Sequence, residues 1–206
     1  LDLLAADSGQ CLAASHIFLF STYLENFKKV ISKSIEEVQT VSIDWCDTNA
    51  EIRYNETQSY DAAVPVYLDC TPHIISILSY LFNTPEFELC EITVGRGGAA
   101  LQLQLQINHT CHCDIRIERN SHYRKRKISV TSSVENLTLD FSSEPGFIMA
   151  SGEEKSADPE WLINEKRLAK MLKRFFNNIK SGNLDARLGM SLAIEGLRLI
   201  NEIEPL

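Results

Sequence analysis

Strict alternation of apolar and polar residues over residues 101–118 constrains the fold of this chain more than any other feature. In LQLQLQINHTCHCDIRIE, the odd-numbered positions are Leu, Leu, Leu, Ile, His, Cys, Cys, Ile and Ile, and the even-numbered positions are polar or charged. Successive side chains of a β-strand point to opposite faces, so the pattern predicts one long strand, or two strands joined at a bulge. The strand-like runs KISVTSS and NLTLDFS follow. The sequence therefore predicts a large, mainly antiparallel sheet with one apolar and one polar face.

The region before the alternation contains both strand and helix signals. Residues 11–22 and 37–53 have the apolar, β-forming character of strands. Residues 23–33 and the run IISILSYLF at residues 74–82 have the spacing or apolar density of helices. We therefore expect strand, helix, strand and a buried helix to precede the sheet.

The region after the alternation returns to helical periodicity. A helix is predicted from residue 161 to Gly182, and a second helix begins near Asp185 as its N-cap. The apolar stripe of the first helix comprises Leu168, Met171, Leu172, Phe175, Phe176 and Ile179. Residues 142–159, rich in Ser, Gly, Pro and acidic residues, are expected to be a surface linker. The two helices are expected to cover one face of the sheet, which gives an α+β fold.

Composition argues against several kinds of partner. A chain of 206 residues that is 44% hydrophobic can bury a full core, and we expect one domain over residues 1–206. Its net charge of −8 opposes binding to nucleic acid or to an anionic membrane surface. Six cysteines without a C-x-x-C pair are typical of reduced thiols, so we expect a cytoplasmic protein.

A cluster of histidine and cysteine at residues 109–113 has the residue types of a zinc site. Alternation places His109, Cys111 and Cys113 on the apolar face, whereas His112 points away. Three ligands spaced along one strand lie too far apart for one tetrahedral ion. Free cysteines are commonly buried, so we expect these side chains to be packed in the core rather than bound to a metal.

Two other motifs receive structural interpretations. The sequence GRGG at residues 95–98 could bind phosphate through backbone amides, but its position between strands predicts a turn. The basic run YRKRK at residues 123–127 is expected to be a solvated hairpin. The solvent-exposed face of the first C-terminal helix is expected to carry Lys166, Arg167, Lys170, Lys173 and Arg174.

One segment, LDCTPHIISILSYLF at residues 68–82, places Asp69 four residues before His73 ahead of an apolar helix. The chain opens with LLAADSGQCLAASHIFLF and ends with MLKRFFNNIKSG and LAIEGLRLINEI around the terminal helices. These segments and the order of the elements resemble the C-terminal domain of the Gfo/Idh/MocA oxidoreductases over nearly the whole chain.

This resemblance implies the substrate-binding and dimerisation domain of an NAD(P)-dependent oxidoreductase that acts on a small hydroxy, sugar or imine substrate. Family enzymes join this domain to an N-terminal Rossmann domain, and a lysine from a Glu-Lys-Pro turn completes the catalytic set. That turn would lie before Leu1, and residues 1–6 look like the end of a longer helix. We therefore expect the nucleotide-binding domain to be missing from this chain, so that NAD or NADP binds only to the full-length enzyme and this chain alone is inactive.

The chain departs from the family before Asp69. A glycine-rich stretch common in the family is replaced by AAVPV at residues 62–66, which argues against the sugar substrates common in the family. A non-catalytic, stand-alone interaction or ligand-binding module derived from the same domain is the alternative function. An upstream strand followed by G-x-G-x-x-G would favour the enzyme.

Asp69 and His73 are the predicted catalytic residues. Their spacing places both side chains on one face of a helix. An imidazole can remove the hydroxyl proton as hydride leaves the carbon, and a nearby carboxylate can orient it. The same spacing is compatible with an Asp N-cap and a helix-end histidine bonded to backbone.

The polar face of the predicted sheet carries an uncharged row of Gln102, Gln104 and Gln106. The resemblance implies a homo-oligomer that associates through this open face, where few charges would be desolvated. Ordinary contact with solvent explains the row equally well.

Overall fold

The computed structural model describes residues 12–34, 37–49, 51–53, 56–58, 64–183 and 185–203. The helix end expected at residues 1–6 lies outside them. The described helices are α1 (Thr22–Ser34), α2 (Val66–Leu81), α3 (Arg167–Ser181) and α4 (Met190–Ile203), with short 3-10 helices at Ile17–Phe20, Arg96–Gly98 and Ala186–Leu188. The strands are β1 (Thr40–Thr48), β2 (Glu51–Arg53), β3 (Glu56–Gln58), β4 (Phe87–Gly95), β5 (Ala100–Ile107), β6 (Cys111–Ser121), β7 (Lys125–Thr131), β8 (Asn136–Asp140), β9 (Phe147–Ala150) and β10 (Glu153–Ser156).

Eight of these strands form one sheet in the order β10-β9-β8-β7-β1-β6-β5-β4, and β2 pairs with β3 separately. The central strand β1 runs parallel to β6 and antiparallel to β7. The remaining neighbours in the large sheet are antiparallel. The predicted α+β fold with a large, mainly antiparallel sheet is confirmed.

The alternating region forms the hairpin of β5 and β6 rather than one long strand. Asn108 and His109 adopt positive φ angles of 51° and 61° in the turn between them. Asn is one of the few residues that tolerates this conformation, and its Oδ1 accepts a hydrogen bond from the Glu86 backbone at 3.0 Å. The expected apolar-face position of His109 is therefore wrong, because its side chain lies exposed in the turn. Cys111 and Cys113 do face the core, where they are buried.

The strand expected at residues 11–22 is wrong over the described part. Residues 12–16 are irregular, and Ile17–Phe20 form a 3-10 helix. The Ser21 hydroxyl donates to the Phe18 carbonyl at 2.6 Å, which closes this turn just before α1. Leu19 and Phe20 are buried, so the apolar run reflects burial against the core rather than strand pairing.

The linker expected at residues 142–159 is also wrong, because it contains the hairpin of β9 and β10. The turn between the strands uses Ser151 and Gly152 at φ angles of 52° and 78°. The Ser, Gly and Pro content of this segment therefore reflects its turns, while the strands extend the edge of the sheet. The solvated hairpin expected at residues 123–127 is wrong too, since β6 and β7 are separated by β1.

The helices lie on one face of the sheet, as expected, but in two layers. The inner layer consists of α1, α2 and the Ile17–Phe20 segment, whose buried side chains form the core with the apolar face of the sheet. The predicted terminal helices lie mainly outside this layer: α4 packs on α2 and reaches β4, and α3 packs on Ile17–Phe20. Gly182 ends α3 with a φ of 70°, as predicted.

The outer face of α3 leaves much of its predicted apolar stripe uncovered. Met171 is buried, but Leu168, Leu172, Phe176 and Ile179 are 42–56% exposed. On the other side of the molecule, the polar face of the sheet bears Gln102 and Gln104 around a shallow cavity of about 240 Å³. None of the helices in the described ranges is both long and apolar enough to cross a membrane.

Candidate active site

Asp69 and His73 both lie on α2, near the end that meets the sheet. Pro65 occupies the N-cap position without a side-chain cap, so Asp69 is the fourth helical residue and His73 lies one turn further on. The alternative of an Asp N-cap and a helix-end histidine is therefore not the observed geometry.

The carboxylate of Asp69 binds the guanidinium of Arg119, which comes from the end of β6. Arg119 Nη2 donates to Asp69 Oδ2 at 2.8 Å, and its Nη1 donates to the Val64 carbonyl at 2.7 Å. Arg119 is buried, whereas the Asp69 side chain is 43% exposed. Arg119 thus ties the start of α2 to the sheet. No hydrogen bond joins Asp69 to His73 within the described residues, so the two interact only through the charge of Asp69.

The imidazole of His73 is largely buried beside Phe18. The two rings meet edge to face with centroids 5.3 Å apart. Burial lowers the pKa of His73, the charge of Asp69 opposes this, and the positive charges of Arg126 and Arg167 lower the pKa further. His73 is therefore neutral at neutral pH, which is the form that can accept a proton.

Arg126, whose charge lowers the pKa of His73, is buried on the inner face of the sheet. Its guanidinium carbon lies 3.6 Å from the centroid of the Trp45 ring, and its Nε donates to Asp47 Oδ1 at 3.1 Å. The Arg126 and Asp47 side chains are 5% and 6% exposed. The expectation of a solvated basic run is therefore wrong at Arg126, because β7 pairs with β1 and places it opposite Trp45.

Arg167 also departs from its expected place on the solvent-exposed face of a helix. It begins α3, forms an ion pair with Glu144, and donates from Nη1 to the Tyr23 hydroxyl at 2.9 Å. Its guanidinium carbon lies 4.7 Å from the centroid of the Phe18 ring. The start of α3 is thereby fixed against the same aromatic side chain that contacts His73.

Among known proteins, this chain is similar to solved structures. The sequence matches no protein-family model and no curated protein. Dehydrogenase MviM from Clostridium difficile has a TM-score of 0.69 and 14% identity, over 98% of this chain and 64% of its own. UDP-N-acetylglucosamine 3-dehydrogenase GnnA from Acidithiobacillus ferrooxidans has a TM-score of 0.72 and 12% identity, over 97% and 62%. A 3-ketoreductase from Actinomadura kijaniata, solved with TDP-benzene and NADP, has a TM-score of 0.69 and 12% identity, over 95% and 60%.

The chain has the fold of the Gfo/Idh/MocA C-terminal domain. The expected resemblance is confirmed at the level of the fold. The chain spans 60–64% of the length of these solved proteins.

Neither the turn at residues 95–98 nor the start of α2 has the features of a dinucleotide-binding site. The turn predicted at residues 95–98 is confirmed, but it leads into β5 rather than into a helix whose N-terminus could bind a pyrophosphate. The first turn of α2 carries Asp69, whose charge would repel phosphate. The described residues likewise contain no group of three or more His, Cys, Asp or Glu side chains placed to hold a metal ion.

Sequence reasoning missed two buried arginines and one histidine of the site. Continued alternation was the available signal for the arginines: Arg119 shares parity with Ile115 and Ile117, and Arg126 shares parity with Ile128. His16 is only 5% exposed. Burial and the neighbouring His73 lower the pKa of His16 to about 4.

Proposed function

We propose that this chain is the substrate-binding half of an NAD(P)-dependent oxidoreductase. In this proposal His73 accepts the proton of the substrate, and Asp69 raises the pKa of His73. The observation that carries the proposal is the neutral, largely buried imidazole of His73 one helical turn from the carboxylate of Asp69. Buried titratable groups with specific charged neighbours concentrate at catalytic sites. The fold shared with dehydrogenases supports the same reaction class.

The chemistry assigned to the chain is the proton step. When an alcohol is oxidised to a carbonyl, the carbon loses a hydride and the hydroxyl loses a proton. His73 takes this proton as a general base and becomes imidazolium. The negative charge of Asp69 favours the imidazolium, although its ion pair with Arg119 moderates the effect. A nicotinamide held by another part of the complete protein would accept the hydride.

The proposed substrate class is a hydroxyl- or carbonyl-bearing compound, with sugars as the first candidates. One matched protein is a UDP-N-acetylglucosamine dehydrogenase, and another is a 3-ketoreductase solved with TDP-benzene and NADP. Residues 62–66 lack the glycine-rich stretch common in the family, and this weakens the inference that the substrate is a sugar. Polyols and cyclic imines therefore belong in the same test.

We also propose that two copies associate through the open face of the sheet. Gln102, Gln104 and Gln106 lie on this face, and Gln102 and Gln104 line the cavity between the strands together with the charged side chains of Asp44, Glu91, Asp114 and Arg116. Uncharged amides can exchange hydrogen bonds with a second copy at little desolvation cost.

The test of the proposed function compares the complete protein with this chain. The complete protein is assayed spectrophotometrically with NAD⁺ or NADP⁺ and UDP-N-acetylglucosamine, D-glucose or a polyol, and with NADPH and a cyclic imine. We expect turnover of one member of this panel by the complete protein and no binding of NADP⁺ by the isolated chain in calorimetry. Micromolar binding of NADP⁺ by the isolated chain would contradict the proposal that another part of the complete protein binds the nicotinamide.

A non-catalytic module is the second candidate function. The observation that favours it is the engagement of Asp69 by Arg119 rather than by His73. Absence of turnover with the whole panel, together with stable self-association of the isolated chain, would favour this alternative.

A further inference from the structure

Two buried side chains that interact electrostatically with His73 each have a polar atom without a hydrogen-bond partner among the described residues. His16 is 5% exposed and its Nε2 is unpartnered, and Arg126 is buried and its Nη1 is unpartnered, within the described residues. Buried polar atoms are nearly always hydrogen-bonded, because leaving one unpaired costs free energy. Proteins keep such unfavourable unpaired atoms mainly at functional sites, where a ligand can bind to them. These two atoms therefore require an explanation.

The two side chains belong to one cluster around the ring of Phe18. Phe18 contacts His73 at 5.3 Å and Trp45 at 5.1 Å between ring centroids, and Arg126 stacks on Trp45. His16 immediately precedes the 3-10 helix that carries Phe18. Both His16 and Arg126 are also electrostatic neighbours of His73. The unpartnered atoms thus lie in the shell of side chains around the proposed proton acceptor.

The charges in this cluster limit the chemistry of a ligand. The guanidinium groups in this cluster and beside Asp69 are each matched by a carboxylate: the ion pairs are Arg126–Asp47, Arg167–Glu144 and Arg119–Asp69. A carboxylate or phosphate on the ligand would have no surplus positive charge to neutralise it. An uncharged group with hydroxyl or carbonyl oxygens fits, since it needs only hydrogen bonds.

We propose that His16 and Arg126 are substrate-positioning residues of the Asp69–His73 site, an inference that rests on the function proposed above. Arg126 donates through Nη1, and His16 forms a hydrogen bond through Nε2, to hydroxyl or carbonyl oxygens in the uncharged part of the substrate. The two residues fix the substrate so that its reacting hydroxyl faces His73.

The first test measures stability and needs no substrate. His16→Phe keeps an aromatic ring in the buried position and removes the unpartnered atom. We expect its thermal midpoint in the isolated chain to rise by about 2–4 °C, because a polar atom reserved for a ligand no longer lowers stability. The matched control, His112→Phe on the half-exposed polar face, should show no such rise. An unchanged or lower midpoint for both His16→Phe and the smaller His16→Leu would overturn the inference.

The second test measures kinetics in the complete protein with the substrate panel given above. His16→Phe should lower kcat/KM at least tenfold, mainly by raising KM, and His16→Gln should recover part of this loss because its amide can still form a hydrogen bond. If His73→Ala abolishes turnover while His16→Phe keeps the wild-type kcat/KM, the inference fails and the proposed function stands. If His73→Ala leaves turnover intact, the proposed function fails.

Discussion

The Oδ2 atom of Asp69 lies 2.8 Å from Nη2 of Arg119, so one of the two predicted catalytic residues ties their common helix to the end of β6. The other residue, His73, lies one turn further along α2 and senses Asp69 only through its charge. This arrangement assigns Asp69 both a structural and an electrostatic part.

Removal of the charge of Asp69 should lower the pKa of His73 further. Asp69 raises this pKa against the lowering by burial and by two arginines, so Asp69→Asn leaves the lowering influences unopposed. NMR titration of the His73 imidazole in the isolated chain measures the change. Glu195→Gln, at the surface ion pair with Arg198, serves as the control and should leave the His73 titration as it is in the wild type. A pKa of His73 that stays constant or rises in Asp69→Asn would contradict the electrostatic account.

Gly146 should tolerate substitution far less than Gly152, although both have a φ of 78°. A Cβ at Gly146 would lie 1.9 Å from the Asp140 carbonyl oxygen, whereas a Cβ at Gly152 would meet nothing within 4 Å. Gly146→Ala should therefore lower the free energy of unfolding by at least about 3 kcal/mol. Gly152→Ala should cost only the left-handed backbone strain, about 1–2 kcal/mol. Urea denaturation of both variants compares them, and equal losses would show that the close approach at Gly146 is relaxed in solution.

Cys111 and Cys113 should contribute to stability as buried side chains and not as metal ligands. Both face the core, and burial raises the pKa of Cys111 to about 11, which disfavours the thiolate that zinc requires. Replacing both by Ala should lower the free energy of unfolding by about 1–3 kcal/mol through loss of packing. Cys90→Ala is the matched control, because Cys90 is exposed. Stoichiometric zinc in the purified protein by elemental analysis would prove the packing interpretation wrong.

A charge introduced into the open face of the sheet should weaken self-association. Gln104 borders the shallow cavity on this face, and Gln104→Lys would add a charge that has to be desolvated when the proposed interface forms. Sedimentation velocity should show a shift from dimer to monomer in the variant. Lys173→Gln, which alters α3 on the other side of the sheet, should leave the dimer unaffected. A wild-type chain that sediments as a monomer at high concentration would remove the basis for the proposed interface.

The sequence predicts the sheet well because its signal is local. Alternation over residues 101–118 places Leu101, Leu103 and Ile115 correctly in the core. The same alternation gives the wrong position for His109. Asn108 and His109 form a turn, but the apolar–polar pattern continues through it and so does not reveal it. Residues 11–22 fail for a related reason: burial requires apolar residues in a 3-10 helix as much as in a strand.

The site is less predictable because it depends on strand order. The spacing of Asp69 and His73 follows from the sequence, but the contact of Arg126 with Trp45 requires β7 to pair with β1, which lies about 80 residues earlier in the chain. The charged residues around Arg126 and Arg167 in the sequence predict solvent-exposed side chains. In the structure both side chains instead form tertiary ion pairs, Arg126 with Asp47 and Arg167 with Glu144. The parity of Arg126 with Ile128 indicates which face of the strand it occupies, but not which strand it pairs with or which carboxylate it meets.

The central claim is that His73 moves the proton, and the turnover of His73→Ala in the complete protein tests it most directly. We expect turnover to fall by about 10²–10⁴-fold while the thermal midpoint stays close to that of the wild type, since general-base catalysis contributes only in the transition state. Asp69→Asn should lose less, because its carboxylate acts on the imidazole through charge alone. A His73→Ala variant that melts several degrees lower, yet has wild-type turnover per folded molecule, would contradict the account and assign His73 to the fold.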